Sequence, residues 1–407
     1  MISEIKKLFS SPFTYVSLLI VFAFLSVFIV TAARNARAAD KTYESFLAEI
    51  NSSNMPEDEH ILKLHNDIES LNMQMVEMGD GFFSIQGDYG ETLADDLVIF
   101  YGAYNLLEYK NNQFPNNRKQ IINDSIYKIM EEEQKEYPNT KVIKSNELAI
   151  KKYNKAVPLE LKNVGDMESM QLYFDNTIWE YAMIAFIVML TVRMFTVDIS
   201  SGAYKMIHSS RMGRRHLFTR QFLAVSSIVT AIAIIAALIQ LIFGVAHFGV
   251  SNFFLPLQMY SEYEFCPFSI SIAAFLLIKF LCKLLFYIMI VAVTAMVSIM
   301  TRKQFISLIT SLVVGVAPLV TITYYFDQTT KDSGDISTKF KAYDNLRGVV
   351  PHGLLNIRRY FSTFDYINLL GFHISRIALI LSITALITII CSIVAYKNYG
   401  TPKEVAV

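Results

Sequence analysis

Lys279 and Lys283 lie one helical turn apart inside an apolar stretch of the chain. Charged side chains within a membrane-spanning segment are costly and often functional. The two lysines could therefore meet an anionic substrate or a lipid headgroup at the outer mouth of a pathway. The alternative places both at the outer interface of the membrane, because residues 284–300 are nearly long enough to span a bilayer alone.

Glu180 and Arg193 interrupt a second, weaker apolar stretch over 177–197. Their positions lie about 20 Å apart along a helix, so the two side chains cannot pair with each other. Long charged side chains near the end of a span can reach the membrane interface. Glu180 joins the two lysines as a candidate for a substrate pathway, with an interfacial charge as the simpler interpretation.

Residues 198–220 read DISSGAYKMIHSSRMGRRHLFTR and carry several basic residues between two apolar stretches. Ser201 could cap a short helix that contains Tyr204, Met206 and Ile207. Such a helix is amphipathic and too short to span, and it would suit a groove on a partner protein. The alternative is a basic loop that only sets the orientation of the chain in the membrane.

No set of residues in the sequence is typical of an enzyme. A Gly-Lys dipeptide is missing, which excludes a P-loop, and so are the HExxH and GxSxG patterns. The best candidate metal ligands are Glu57, His60, His65 and Glu69, but the two histidines diverge by roughly 140° around a helix. A solvated acidic face is the simpler interpretation. We therefore predict no catalytic residue, metal site or bound cofactor.

The composition indicates a membrane protein with a soluble insert. The chain has 407 residues, of which 53% are hydrophobic and 18% charged, whereas soluble domains carry about 25% charged residues. Its net charge of zero gives no electrostatic support for a nucleic-acid partner. Residues 34–178 hold 25 acidic and 15 basic residues, and the rest of the chain consists of apolar runs separated by short basic stretches.

Six membrane spans are predicted from the apolar runs. Five stretches lack any charged residue, and a bilayer core requires about 20 apolar residues in a helix. The first is too long for the apolar core of a cleaved signal peptide, so we predict that it is retained. The weaker apolar stretch over 177–197, which contains Glu180, is the sixth predicted span. The predicted bounds are 13–33, 177–197, 221–245, 269–300, 304–326 and 370–396.

Basic residues in short loops predict the orientation. With the N-terminus in the cytoplasm, the inner segments contain many more basic than acidic residues, and the outer loop 246–268 contains no Lys or Arg. The outer loop 327–369 carries several basic residues and weakens the rule there. Six spans place both termini, including the tail 397–407, on the cytoplasmic side of the plasma membrane. The insert over 34–176 then lies outside.

The insert is predicted to be a helical extracytoplasmic domain. Apolar residues recur at helical spacing over 56–78, 91–111 and 115–136. Pro56 followed by three acidic residues is typical of a helix start. About 140 residues are enough to bury a core.

Residues 1–12 place Ile2, Ile5, Leu8 and Phe9 on one helical face, which predicts an interfacial elbow helix on the inner leaflet. A disordered start is the alternative.

The layout of the chain resembles a permease subunit of the ABC-2 type of ATP-binding-cassette exporter. Three features carry the resemblance: the Glu-Ile-Lys-Lys-Leu-Phe-Ser-Ser-Pro pattern of the first helix, the large insert after the first span, and the Arg-rich turn before the third span. The resemblance covers the layout of the whole chain.

In that family the segment before the third span holds a coupling helix that contacts a separate ATPase. The family pattern places Glu, Gly, Arg and Lys there, whereas this chain has Asp for Glu and Arg for Lys. The family's outer loop between the fifth and sixth spans often holds re-entrant helices, which residues 352–370 could supply. The resemblance implies an ATPase-coupling role for Asp198, Gly202, Lys205, Arg211, Arg214, Arg215 and Arg220.

The resemblance further implies an all-α polytopic permease that is not itself catalytic. It would work in the lipid bilayer with a second permease copy or homologue and with separate ATPase subunits, which bind ATP and Mg. The exported substrate would be a peptide, a drug or a lipid-like molecule. The alternative is a membrane-anchored sensor or scaffold whose extracytoplasmic domain binds a ligand or partner without transport. An ATPase that co-purifies with this chain would separate the two.

The predicted topology is tested by labelling single cysteines introduced at Ser52 and Ser209, in a background without the three native cysteines. An impermeant thiol reagent applied to intact cells should label the cysteine at 52 and spare the one at 209. Permeabilised cells provide the control, because both positions should then react. Labelling of 209 but not of 52 would reverse the arrangement.

Overall fold

The structure is a computed structural model that describes the helices and parts of the connections. Five of its helices are long and apolar enough to cross a membrane, and they support a mostly helical membrane protein. The described residues are 2–10, 12–52, 57–77, 170–171, 173–174, 178–200, 211–257, 260, 263, 266, 268, 270–315, 349–362, 366–369 and 372–399.

Nine α-helices, two 3₁₀ helices (Ser251–Phe254 and Pro351–Leu355) and one β-hairpin have bounds within this described part of the chain. The five membrane-length helices are α2, α4, α5, α6 and α9. The helix bounds are α1 Ile2–Phe9, α2 Pro12–Ser52, α3 Glu57–Glu77, α4 Ile178–Ser200, α5 Arg211–Phe248, α6 Ile272–Thr301, α7 Gln304–Gly315, α8 Arg358–Ser362 and α9 Arg376–Tyr399.

Helices α4 and α6 form the centre of the bundle. They are the most buried of the membrane-length helices, and α6 contacts α4, α5 and α9. In contrast, α2, α5 and α9 expose many large apolar side chains, such as Leu19, Ile242 and Ile389. An apolar exposed surface on helices of this length is typical of contact with lipid.

Helices α4, α6 and α9 all begin at one end of the bundle. We call it the insert end, because α4 directly follows the insert. The opposite end, where α4 and α9 finish and α5 begins, is the termini end. Phe195 near the end of α4 contacts Phe218 near the start of α5, and Phe174 before α4 lies against Gly244 near the end of α5. Helices α4 and α5 are therefore antiparallel.

The first helices begin as expected from their polar and apolar pattern. Helix α1 buries Leu8, and the Thr14 hydroxyl at the start of α2 donates to the Leu8 carbonyl, at 2.7 Å. Helix α2 continues from the predicted span 13–33 to Ser52 without a break. It contains no glycine or proline after Pro12, so no residue in it disrupts the backbone hydrogen bonds.

The segment predicted as a loop over 198–220 is helical at both of its described ends. Helix α4 continues to Ser200 and α5 begins at Arg211. Good helix formers such as Arg211, Met212 and Leu217 extend α5 beyond its apolar stretch. The predicted short helix around Met206 lies outside the described residues.

The fifth predicted span, 304–326, is described only as α7, Gln304–Gly315, and its remainder lies outside the described residues. Arg302 connects α6 to α7 in the left-handed region, with φ of 53°, a conformation that helix ends usually give to glycine. Ser298 of α6 and Ser307 of α7 share a buried hydrogen bond of 2.7 Å. Six spans therefore stay a prediction.

The last membrane-length helix begins later than the predicted 370. Strands β1, Tyr366–Leu369, and β2, Phe372–Ser375, form an antiparallel hairpin directly before α9. Its polar and apolar residues alternate, which favours a strand over a helix. This hairpin departs from the all-α prediction. Two short helices precede it, a 3₁₀ helix over Pro351–Leu355 and α8.

Of the three helices predicted in the insert, one falls within the described residues. Helix α3, Glu57–Glu77, occupies the predicted stretch 56–78. The predicted helices over 91–111 and 115–136 lie outside the described residues.

The described end of the insert is anchored on α5. The Phe174 ring lies over Gly244 and against Phe253, with ring centroids 5.8 Å apart. The Tyr173 hydroxyl donates to the Gln240 carbonyl at 3.1 Å, and burial raises the pKa of Tyr173 to about 12, so that its donor proton is retained. A Cβ at Gly244 would lie 2.6 Å from Phe174 Cζ.

Gly244→Ala should therefore lower the melting temperature of the full chain in detergent, because overpacking typically costs about 1–3 kcal/mol. The control places the same change in a Phe174→Ala background, where the ring that the new methyl group meets is gone. The drop caused by Gly244→Ala should then be much smaller. Equal drops in the two backgrounds would contradict the contact.

Candidate functional site

Glu180 is the charged residue on which the candidate site is built. It lies in the first turn of α4 and has no solvent exposure. A carboxylate at this position interacts favourably with the positive end of the helix dipole. That interaction is too small to compensate for the loss of water around the charge, so Glu180 requires partners from another helix.

Helix α6 supplies those partners from one face. Lys283 and Tyr287 are four residues apart, and such residues lie next to each other on a helix. The Lys283 ammonium forms an ion pair with Glu180 Oε1. The Tyr287 hydroxyl donates a hydrogen bond to Glu180 Oε2. Both carboxylate oxygens are thus held by α6.

Trp179 completes the surroundings of the Lys283 ammonium. The nitrogen lies 5.6 Å from the centroid of the Trp179 ring, within the range of a cation–π contact. Trp179 itself is buried, and its indole N–H has no hydrogen-bond acceptor within the described part of the chain. The site therefore combines a neutralised carboxylate with a buried donor.

Lys279, one turn before Lys283, connects the site to the end of the insert. Its ammonium donates to the carbonyl of Phe174 at 2.9 Å. Both lysines are less than one-tenth exposed. They lie at the insert end of α6, as an interfacial position would require, but protein encloses them instead of solvent.

The structure places Lys279, Lys283 and Glu180 close together, and these are the three residues that the sequence named as candidates for a substrate pathway. Tyr287, Trp179 and Phe174 were not named. The position of Tyr287 one turn after Lys283 was a usable signal, because a residue at this spacing shares the lysine's face. Trp179 and Phe174 carried no signal in the sequence, since their roles depend on the approach of α4 to α6.

His352 lies in the short 3₁₀ helix that packs on α6 and α9. Its Nε2 is 3.0 Å from the carbonyl oxygen of Gly315, and its ring lies against Phe286. Burial lowers the pKa of His352. The ring is therefore neutral at pH 7, and Nε2 carries the proton that Gly315 accepts.

The residues predicted to couple to an ATPase lie at the termini end. Arg211, Arg214 and Arg215 occupy the first turns of α5 at spacings of three and four, which places them on one face. Arg220 is exposed one turn later. Asp198 belongs to the last turn of α4, and Gly202 and Lys205 lie outside the described residues.

An aromatic cluster supports the start of α5, and its members are Phe195, Phe218, Tyr396 and Tyr399. Phe218 lies 5.7–5.8 Å from the other three rings, measured between centroids. The Tyr399 hydroxyl also donates to buried Gln221 at 3.1 Å. Helices α4, α5 and α9 are therefore joined one to two turns after the three arginines, near the start of α5.

The four candidate metal ligands all fall on α3. His60 is buried and His65 is exposed, so the two side chains point to different environments. Within the described ranges, no group of three His, Cys, Asp or Glu residues is placed to hold a metal ion.

The chain has no match among protein-family models, among curated proteins or among solved structures. Its function must therefore be argued from its own residues.

The Glu180–Lys283 pair predicts a strong energetic coupling. Glu180→Gln or Lys283→Met should each destabilise the chain by about 3–5 kcal/mol, because each removes the opposite charge that neutralises the other buried side chain. The double variant should be far less destabilised than the sum of the two, since neither charge of the pair remains. The melting temperature in detergent measures all three.

Lys303→Met is the matched control, because Lys303 is exposed in the turn between α6 and α7. It should leave the melting temperature nearly unchanged. Additive effects of Glu180→Gln and Lys283→Met would show that the two side chains do not interact.

Proposed function

We propose that this chain is the membrane-spanning permease subunit of an ABC exporter of the ABC-2 type. A separate ATPase binds and hydrolyses ATP, and the permease passes the resulting movement to a peptide, drug or lipid-like substrate. The chain lies in the plasma membrane with both termini in the cytoplasm. It works as a dimer with a second copy or a homologue.

The observation that carries the proposal is the arginine face at the start of α5. The first turn of a helix is the positive end of its dipole, where cations are unfavourable. Arginine is a good helix former, but three arginines on one face at this end of α5 interact unfavourably with the helix dipole. Arginine pairs well with carboxylates in two parallel hydrogen bonds, so an acidic surface on a partner ATPase gives this placement a reason.

The packing of α5 next to the arginines supports a route for movement. Helix α5 has 38 residues and is roughly 57 Å long at 1.5 Å per residue. Its start contacts α4 and α9 through Phe218, and its far end supports Phe174 and the end of the insert. A displacement at the arginine face would reach the insert end along one continuous helix.

The alternative is a sensor or scaffold without transport. The observation in its favour is the anchoring of the insert, because Tyr173 and Phe174 tie its end to α5 and α6. A ligand bound by the insert could shift these helices without any ATPase. The two functions differ in their partner, so co-purification separates them.

Changing Arg211, Arg214 and Arg215 together to alanine should weaken association with the ATPase. Loss of a buried charged partner at an interface typically costs about 2–5 kcal/mol, whereas a charge at the rim costs far less. Substrate-stimulated ATP hydrolysis should fall in parallel. The measurement is recovery of the ATPase with the tagged permease, followed by its hydrolysis rate.

The matched control changes Arg302, Lys303 and Lys397 to alanine, which removes three other cations that we place on the same side of the membrane. This control should retain the ATPase. Labelling of the cysteine at position 52 verifies that both variants keep their orientation. Normal association and stimulation in the arginine variant, with correct orientation, would exclude this segment from coupling.

A further inference from the structure

The Lys283 ammonium occupies surroundings that would suit an organic cation from outside the chain. A buried carboxylate lies on one side and the face of an indole ring on the other. Proteins recognise alkylammonium ligands with this combination of groups. Tyr287 holds the second oxygen of the carboxylate and so orients it toward the cation.

Stability alone does not account for this arrangement. A buried ion pair is often no more stabilising than apolar residues of the same volume. Here it lies between α4 and α6, the two most buried membrane-length helices. Charged groups at such positions commonly mark the path of a substrate or an ion.

The Trp179 indole adds information on the ligand. Its N–H is buried and no acceptor for it exists among the described residues. Buried donors nearly always have an acceptor, because leaving one without a partner is costly. A ligand that carries both an ammonium group and a carbonyl oxygen, such as a lysine-containing peptide, would satisfy Glu180 and Trp179 together.

We propose that Glu180, Tyr287 and Trp179 form a binding site for an ammonium-bearing peptide, and that Lys283 occupies this site in the closed conformation. Lysine has a flexible stem with a compact charge, so its ammonium can leave while the backbone of α6 stays in place. Ligand entry requires α4 and α6 to separate at the insert end. The binding site itself does not depend on the proposed function. Only the step that equates its ligand with the exported substrate rests on that function.

Trp179 makes the site directly observable, because it is the single tryptophan of the chain. The full chain in detergent is titrated with a tryptophan-free, lysine-rich amphipathic peptide amide, and the fluorescence of Trp179 is recorded. We expect a saturable change. The same peptide with glutamine in place of lysine should produce none, at equal ionic strength.

Three variants test the assignment. Glu180→Gln should abolish the response, and the exposed Lys303→Met should respond like the wild type. Lys283→Ala removes the internal occupant, so the peptide should bind about 10-fold more tightly or better, because the competent fraction of the site rises.

A small probe tests whether the site accepts a free ammonium and guards against a failure of the variant to fold. n-Butylammonium, the chemical equivalent of the lysine side chain, should raise the melting temperature of Lys283→Ala. It should not do so for the Glu180→Gln/Lys283→Ala double variant. n-Butanol is the neutral control and should have no effect on either.

An unchanged response in Glu180→Gln would overturn the proposal, and so would silence of both the wild type and Lys283→Ala toward the peptide. A third outcome would also overturn it: n-butylammonium raises the melting temperature of Lys283→Ala, but the peptide produces no fluorescence change in the wild type. The Glu180–Lys283 pair would then be purely structural. No ATPase is present in these assays. A negative result in these binding assays is therefore distinct from a negative result in the ATPase experiment, in which the triple arginine variant would keep its ATPase.

Discussion

A carboxylate that is buried away from water must be neutralised by nearby groups of the protein. The buried carboxylate of Glu180 therefore constrains how the helices of the bundle pack. Its partners Lys283 and Tyr287 set which face of α6 meets α4 and at what height. With that register set, Lys279 one turn earlier reaches the Phe174 carbonyl. The central helix pair and the anchoring of the insert thus follow from one buried charge.

Close approach elsewhere depends on small residues, as is usual for helices in a membrane. A Cβ at Gly315 of α7 would lie 3.0 Å from the Ile184 side chain of α4. The Ser298–Ser307 hydrogen bond joins α6 to α7 where apolar groups of larger size would hold them apart. The Glu180–Lys283 ion pair is a charged contact between α4 and α6, so separation of these two helices there would expose charge.

The sequence predicts the five membrane-length helices and helix α3 because both depend on local patterns, namely apolar runs and helical spacing. The contact between Glu180 and Lys283 joins residues more than 100 positions apart in the chain, and no local pattern contains it. The hairpin before α9 was missed for another reason. Its alternation and Gly371 are typical of a hairpin, but a long apolar run follows directly and favoured a helix that starts earlier.

Helix α4 connects the two candidate sites. Glu180 and Trp179 lie in its first turn, and Phe195 near its other end packs on Phe218 and Tyr399, close in the chain to the arginines at the start of α5. A packed helix moves as a unit, so a shift transmitted through Phe195 also displaces Glu180. Under the proposed function, the Glu180–Lys283 pair is therefore where movement driven by the ATPase would open a site to a competing cation.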